Sequence, residues 1–150
     1  MRKGLIVRVL YLCMKNEDNL EYALHNEKTC KYLDRKPDFA DWVITTAFYS
    51  ALHFVRFKIF PVTIQKNNKN IEIPDFESYY RINNPLNLSK HALLSSLVEE
   101  FHAEIANDYN KLRDISWSAR YNNYKYSRDI SNVAKKRLDK IKSYCMSIKS

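Results

Sequence analysis

One segment of the chain, DWVITTAFYSALHFVRFKIF over residues 41–60, limits the possible fold more than any other. Its apolar residues lie almost all round a helix, whereas a helix on a protein surface has a single apolar stripe. On its most apolar side are Ile44, Phe48, Ala51 and Val55. Such a helix is stable in water only when other elements surround it. The sequence therefore predicts a helical bundle with this helix at its centre.

The same helix has one polar side, which is the first candidate functional site. At about 100° per residue, five side chains fall within roughly an 80° arc. They are Trp42, Thr46, Tyr49, His53 and Arg56. We name Tyr49, His53 and Arg56 the polar seam. Because an unpaired buried imidazole or guanidinium is costly, the seam is either a general acid/base with a cationic stabiliser or a structural histidine bonded to Tyr49 or to a carboxylate of another helix.

The composition disfavours several fold classes. The chain of 150 residues has one glycine and four prolines, whereas tight hairpins and the phosphate loops of dinucleotide-binding folds depend on glycine. We therefore expect a single all-α domain over residues 1–150.

The three cysteines, Cys13, Cys30 and Cys145, are widely spaced without a CxxC motif, which is typical of reduced thiols in a cytoplasmic protein.

The sequence predicts neither a metal site nor a membrane span. His91 and His102 are eleven residues apart, about 16 Å along a helix, which is too far to share one metal ion. Glu99 and His102 have the spacing found in carboxylate-bridged di-iron bundles, but no second copy of that motif follows. No run approaches the roughly 18 apolar residues of a membrane-spanning helix. We expect no metal, no cofactor and no membrane partner.

Capping residues predict where the first helices begin and end. Asp18 with Glu21 resembles a capping box, so we expect a helix from there to about residue 34. Asp38 or Asp41 can cap the central helix.

Residues 62–88 are long for a loop in a compact domain, which indicates a functional lid or a mobile insertion.

The second half of the chain predicts further helices. Ser89 can cap a helix that continues either unbroken or with a break near residues 106–108. The last helix begins at about Asp129, and its outer face carries basic residues. These are Lys135, Lys136, Arg137, Lys140 and Lys142. The expected architecture is a four- to five-helix bundle with a long insertion between the second and third helices.

Residues 109–128 combine basic and aromatic side chains. They are Arg113, Arg120, Lys125 and Arg128, interleaved with Trp117, Tyr121, Tyr124 and Tyr126. Guanidinium groups for phosphates and rings for bases suit a single-stranded nucleic acid, and the net charge of +8 favours anionic partners. The same pattern also describes an amphipathic helix end followed by a tyrosine-rich loop, and lysines can simply solvate the surface.

Three strings of the sequence together resemble one family. DWVITTAFYSALHF over residues 41–54, SKHALLSSL over 89–97 and YNKLRDISWSARY over 109–121 are similar to strings of the HEPN superfamily. The first resembles bacterial HEPN-like proteins whose second helix reads roughly D-W-A-x-T-x-x-F-Y-A-A-L-H. HNEKTCKYL, before it, resembles their first helix. The resemblance extends over about residues 20–145 and is interrupted by residues 62–88.

This resemblance implies an all-α bundle, often dimeric, in toxin–antitoxin, defence or RNA-processing systems, with an antitoxin or a nucleotidyltransferase as partner. Many members are metal-independent ribonucleases with an arginine and a histidine a few residues apart near the last long helix. Here none of the nine arginines is followed by a histidine at that spacing, and the window after Arg113 is DISWSARY. Either His53, His91 or His102 therefore supplies the imidazole, or this chain is a non-catalytic member.

Our leading hypothesis is a homodimeric HEPN-like protein that binds RNA or a nucleotide without turnover. Arg113, Arg120 and Tyr121 would hold phosphates and bases, and His53 and Arg56 would line the adjacent cleft.

Two other hypotheses belong to different classes. In a metal-independent endoribonuclease, His53 or His102 would be the acid/base, and Arg113 or Arg120 would stabilise the transition-state phosphate. In a helical protein-interaction module without a nucleic-acid role, the polar seam would be purely structural.

Overall fold

The computed structural model describes the backbone of residues 2–122 and 125–147, and the side chains within those ranges from Glu17 onward. These residues form six α-helices and one antiparallel pair of strands. In chain order the elements are α1 (Arg2–Leu33), α2 (Ala40–Ile59), β1 (Val62–Lys66), β2 (Lys69–Ile73), α3 (Phe76–Ile82), α4 (Lys90–Phe101), α5 (Ala103–Tyr121) and α6 (Arg128–Met146). The predicted helical fold is confirmed. The expectation of four or five helices omitted the short α3, and the all-α expectation omitted both strands.

Helix α2 lies at the centre of the fold, as its composition predicted. Its most apolar side chains are fully buried; they are Ile44, Phe48, Ala51 and Val55. Helices α1, α4, α5 and α6 all pack against it. The buried Ser50 hydroxyl donates to the Ala23 carbonyl at 2.8 Å and joins α2 to α1. Trp42, by contrast, is 55 % exposed, so the polar side of α2 begins on the flank of the bundle and not in its core.

Residues 62–73 form a hairpin within the segment that we expected to be a functional lid or a mobile insertion. Strands β1 and β2 pair antiparallel, with Val62 opposite Ile73. Asn67 and Asn68 make the turn at φ values of 53° and 58°. A two-residue hairpin turn needs positive φ, which glycine usually supplies and asparagine tolerates better than most other residues. The scarcity of glycine therefore did not exclude a hairpin.

Residues at the helix ends behave partly as expected. The Ser89 hydroxyl accepts from a first-turn N–H of α4 at 3.3 Å, so Ser89 caps that helix as predicted. Asp18 lies inside α1 and starts no helix. Helix α2 begins after Phe39 without a side-chain cap. The break expected near residues 106–108 lies at His102, where φ is −141° and α4 gives way to α5.

Ion pairs hold α6 against its neighbours, and of the basic residues expected on its outer face Lys136 and Lys140 are exposed. Arg137 Nη1 and Lys140 Nζ contact the two oxygens of the buried Asp108 carboxylate on α5, at 2.5 and 2.6 Å. Two further lysines pair with acids in or just after α1; these pairs are Lys142–Glu27 at 2.7 Å and Lys135–Asp34 at 2.6 Å. Most of the positive charge of α6 is thus used within the fold.

Replacing Asp108 with alanine removes the carboxylate shared by Arg137 and Lys140. We expect Asp108→Ala to lower the free energy of unfolding by about 2–3 kcal/mol, because the partly buried Arg137 guanidinium loses its anionic partner. Urea unfolding followed by circular dichroism measures this. The exposed Asp38 provides the matched control, and an equal loss in Asp38→Ala would contradict a special role for Asp108.

Candidate functional site

A hydrogen bond between α5 and the polar seam positions the first cation of the candidate site. Arg120 Nη1 donates to the Tyr49 hydroxyl at 2.6 Å, and its Nε donates to the Ser116 carbonyl at 3.3 Å. The guanidinium carbon lies 5.3 Å from the Tyr49 ring centroid and 5.8 Å from that of Phe48. Within the described ranges, no carboxylate forms an ion pair with Arg120. The contacts of Arg120 in these ranges are with neutral oxygens and aromatic faces.

Arg113 lies two turns before Arg120 on the same face of α5. Its Nη1 donates to the hydroxyl of the buried Ser95 on α4 at 2.5 Å. Its Nη2 lies 2.8 Å from the exposed Asp114 carboxylate. Since an exposed ion pair is strongly screened by water, Arg113 remains available to a second anion.

His91, at the start of α4, lies among the arginines. Its ring centroid is 5.7 Å from that of Phe48, the ring that also faces Arg120. The pKa of His91 is lowered chiefly by burial, and then by the positive charges of Arg120, Arg56 and Arg113. We name these three arginines the arginine cluster. Burial and these three charges favour the neutral form of the His91 imidazole.

Two exposed aromatic rings lie beside the arginine cluster on α5. Trp117 is 53 % exposed and Tyr121 is 60 % exposed, and their ring centroids are 4.5 Å apart. The Arg120 guanidinium carbon is 5.4 Å from the Tyr121 ring. Helical spacing puts Arg113, Trp117, Arg120 and Tyr121 within an arc of about 100°. Cations and stacking surfaces therefore share one face. The aromatic residue Tyr124, named with this segment, lies outside the described residues.

His53 lies in a separate environment between α1 and α2. Its Nδ1 is 3.1 Å from Asn19 Oδ1, and its ring is 5.3 Å from that of Tyr22. Burial, reinforced by the charge of Arg56, lowers the pKa of His53 to about 4. The imidazole is therefore neutral at pH 7. The sequence predicted Tyr49 or a carboxylate as the hydrogen-bond partner of a structural His53. In the structure the partner is Asn19.

Arg56 lies between His53 and α3. Its guanidinium carbon is 4.4 Å from the Phe76 ring centroid, and its Nη2 is 3.9 Å from the Glu77 carboxylate. A cleft of about 200 Å³ opens between α1, α2 and α3 beside these groups. Its lining includes Tyr22, His53, Arg56 and Glu77. Arg56, a member of the arginine cluster, thus also lines this cleft.

His102 lies far from the arginine cluster. It connects α4 to α5, and its Nδ1 is 3.1 Å from the Tyr144 hydroxyl on α6. Eleven residues separate it from His91 along α4 and from Arg113 along α5, which is about 16 Å of helix in each direction. The hydrogen bonds of His102 to Tyr144 and of His53 to Asn19 thus join these histidines to α6 and α1, and not to the arginines of α5.

The tertiary structure brings together residues that the sequence did not link. The sequence selected Arg113, Arg120 and Tyr121 as contacts for phosphates and bases, and in the fold Arg113 also contacts Ser95 of α4, one turn after His91. The spacing of those two, four residues apart in SKHALLSSL, indicated a shared helix face. It did not indicate that the face lies against the arginines of α5.

The described cysteines are structural. Cys30 and Cys145 are buried, and burial raises the pKa of Cys30 to about 11 and that of Cys145 to about 12. Both are therefore thiols at neutral pH and poor nucleophiles. Cys13 lies outside the described side chains.

Comparison with known proteins assigns no family. No family description, curated protein or solved structure matches the chain. Among the helices described, none combines the length and apolarity needed to cross a bilayer. The described side chains also include no group of three or more His, Cys, Asp or Glu residues placed to hold a metal ion.

Replacing His53 with glutamine tests the neutral, buried state of the imidazole. The unfolded chain takes up a proton near pH 6.5, whereas the folded chain resists protonation until about pH 4. Stability is therefore lost as the pH falls through that window. We expect His53→Gln to reduce the loss by about 1–2 kcal/mol, after allowance for partial exposure of the ring. Thermal unfolding between pH 7 and 4 measures this, with the exposed His25→Gln as control. An unchanged acid profile in His53→Gln would contradict the assignment.

Proposed function

We propose that this chain is a HEPN-like helical protein that binds RNA or a nucleotide and acts by binding and not by turnover. The observation that carries this proposal is the single face of α5 on which two half-buried arginines alternate with two exposed aromatic rings. The HEPN resemblance of the α2, α4 and α5 sequences supports the family assignment, together with the helical architecture of the described residues.

Charge and shape both favour a nucleic acid over a simple anion. A guanidinium presents several donors in a plane and suits the oxygens of a phosphate. Trp117 and Tyr121 offer ring faces on which bases of any sequence can stack. A strand running along α5 would place phosphates on Arg113 and Arg120 and its bases on the two rings. His53 and Arg56 would line the neighbouring cleft.

The family resemblance supports further parts of the proposal. HEPN-like bundles often form dimers, so we propose a homodimer in the cytoplasm. A role in toxin–antitoxin, defence or RNA-processing systems follows from the same resemblance, with an antitoxin or a nucleotidyltransferase as protein partner. The proposal includes no metal or cofactor.

The binding proposal predicts that RNA affinity depends on the two arginines of α5. For Arg113→Ala/Arg120→Ala we expect affinity for a fluorescent single-stranded RNA to fall at least about tenfold. The slope of log K against log salt should become shallower by about 1.4, because two phosphate contacts are lost. Fluorescence anisotropy in EDTA at several salt concentrations measures both quantities.

A charge-matched variant separates this site from the overall positive charge. Lys36 and Lys69 are exposed, and replacing both with alanine removes the same two charges elsewhere. We expect that control to bind RNA nearly as tightly as wild type. Equal losses in both double variants would indicate nonspecific attraction. No loss in either would favour a protein-interaction module.

One observation favours a second candidate function, the metal-independent endoribonuclease. The neutral imidazole of His91 is close enough to Arg113 and Arg120 for their charges to lower its pKa. Metal-free RNA cleavage uses an imidazole for proton transfer and arginines to stabilise the phosphate. His53 and His102, the histidines first favoured from the sequence, have Asn19 and Tyr144 as partners instead. His91 is therefore the preferred acid/base under this hypothesis.

Cleavage in EDTA distinguishes the two candidates. If the chain is a nuclease, His91→Ala should abolish most cleavage while RNA binding persists, because the arginines remain. His53→Ala and His102→Ala serve as matched controls and should retain activity. Wild type that binds RNA without cleaving it would exclude this candidate under the conditions tested and leave the binding function.

A further inference from the structure

A cavity of about 420 Å³ lies between α1 and α6, which both pack against α2. Its volume is within the range of small-molecule sites, about 300–1,000 Å³. Two buried side chains form its apolar floor, Cys30 of α1 and Leu138 of α6. The other lining residues are polar or charged. An apolar floor with a polar rim is the usual composition of a site for a small organic ligand.

Two ion pairs between the chain segments on either side frame this cavity. Asp34 contacts Lys135 at 2.6 Å, and Glu27 contacts Lys142 at 2.7 Å. The two acids are seven residues apart, and so are the two lysines, which is about 10 Å along a helix. A partner helix lying along the groove would cross both ion pairs, whereas a small molecule fits between them.

Most of the charged lining residues already have ionic partners. Three lysines and three carboxylates line the cavity, so its formal charge is zero. Lys31 contacts Glu27 at 2.5 Å, in addition to the two framing ion pairs. Lys136 and Asp139 are exposed at the rim and, within the described ranges, take part in no ion pair. The rim therefore offers a ligand one cation and one anion.

These two charges have a spacing that suits a ligand with both signs of charge. Lys136 and Asp139 are three residues apart on α6, so they lie about 60° apart on one side of that helix. Asn132, one turn before Lys136, also lines the cavity and adds a neutral amide. A simple anion would be attracted by the lysine and repelled by the aspartate, and the reverse holds for a simple cation. A small zwitterion is attracted by both.

We propose that this cavity binds a free α-amino acid with an aliphatic side chain. The ligand carboxylate would contact Lys136 and the Asn132 amide, and the ligand ammonium group would contact Asp139. The aliphatic side chain would lie on Cys30 and Leu138. This site is formed by α1 and α6, and the inference does not depend on the proposed RNA binding by α5.

The test compares leucine with three analogues that each lack one part. 4-Methylpentanoate lacks the ammonium group, 3-methylbutylamine lacks the carboxylate, and glycine lacks the side chain. Isothermal titration calorimetry on the full chain measures their affinities. We expect leucine to bind at least about fivefold more tightly than either analogue of single charge, since each leaves one exposed charge of the rim without a partner. Glycine should bind at least about tenfold more weakly than leucine, because it buries no apolar surface.

Two single variants assign the charges of the ligand to residues of α6. Asp139→Asn should weaken leucine binding about fivefold and should not weaken the binding of 4-methylpentanoate, which has no ammonium group. Lys136→Gln should weaken leucine binding by a similar factor and should not weaken that of 3-methylbutylamine. The double variant Lys36→Gln/Asp38→Asn is the matched control, because it removes the same two charges from exposed positions after α1. It should bind leucine as the wild type does.

Amide chemical shifts of the ¹⁵N-labelled protein locate the bound leucine. We expect the changes to be confined to residues 27–34 and 132–139. The inference would be overturned by the absence of saturable leucine binding, by a single-charge analogue that binds as tightly as leucine, or by shift changes elsewhere. A leucine affinity that survives both single variants would overturn it as well. RNA binding that depends on Arg113 and Arg120 is compatible with each of these results, so failure here is distinguishable from failure of the proposed function.

Discussion

The rest of the structure depends on the burial of α2. A helix that is apolar nearly all round cannot rest on one neighbour, so α1, α4, α5 and α6 all pack against it. The few polar side chains of α2 then need hydrogen-bond partners, and neighbouring helices supply them. Ser50 bonds the backbone of α1, Tyr49 bonds Arg120 of α5, and His53 bonds Asn19 of α1. Because α5 packs against the buried α2, Arg120 lies beside the polar side of α2.

The distribution of charge matters more for function than its total. The net charge of +8 suggested a basic surface, but four cations of α6 are engaged with carboxylates of α1, of α5 and of Asp34, which follows α1. Those pairs fix the position of α6 and offer little to an outside anion. Arg120 differs because it donates to a carbonyl and a hydroxyl, and neutral acceptors are more readily exchanged for a phosphate than carboxylates are. The most basic helix is therefore not the candidate site.

The hairpin between α2 and α3 shows why composition is a weaker guide than local chemistry. One glycine in 150 residues disfavoured a tight turn, yet Asn67 and Asn68 adopt the positive φ that the turn requires. The residue type alone was also an uneven guide to the helix N-caps. Ser89 behaved as its residue type predicts, whereas Asp18 lies inside a helix whose backbone begins at residue 2. A capping residue acts only where the helix ends, and that is decided by the longer sequence around it.

The sequence by itself determined that the chain is helical, that α2 lies at the centre, and that Arg113, Arg120 and Tyr121 share a face. These properties depend on local spacing, since side chains on one helix are related by a fixed rotation per residue. Only the tertiary structure decided that Arg120 meets Tyr49, 71 residues away, that His91 joins the arginines, and that His102 lies apart from them. Contacts between helices depend on crossing angle and register, which packing of the whole core sets and no single segment encodes.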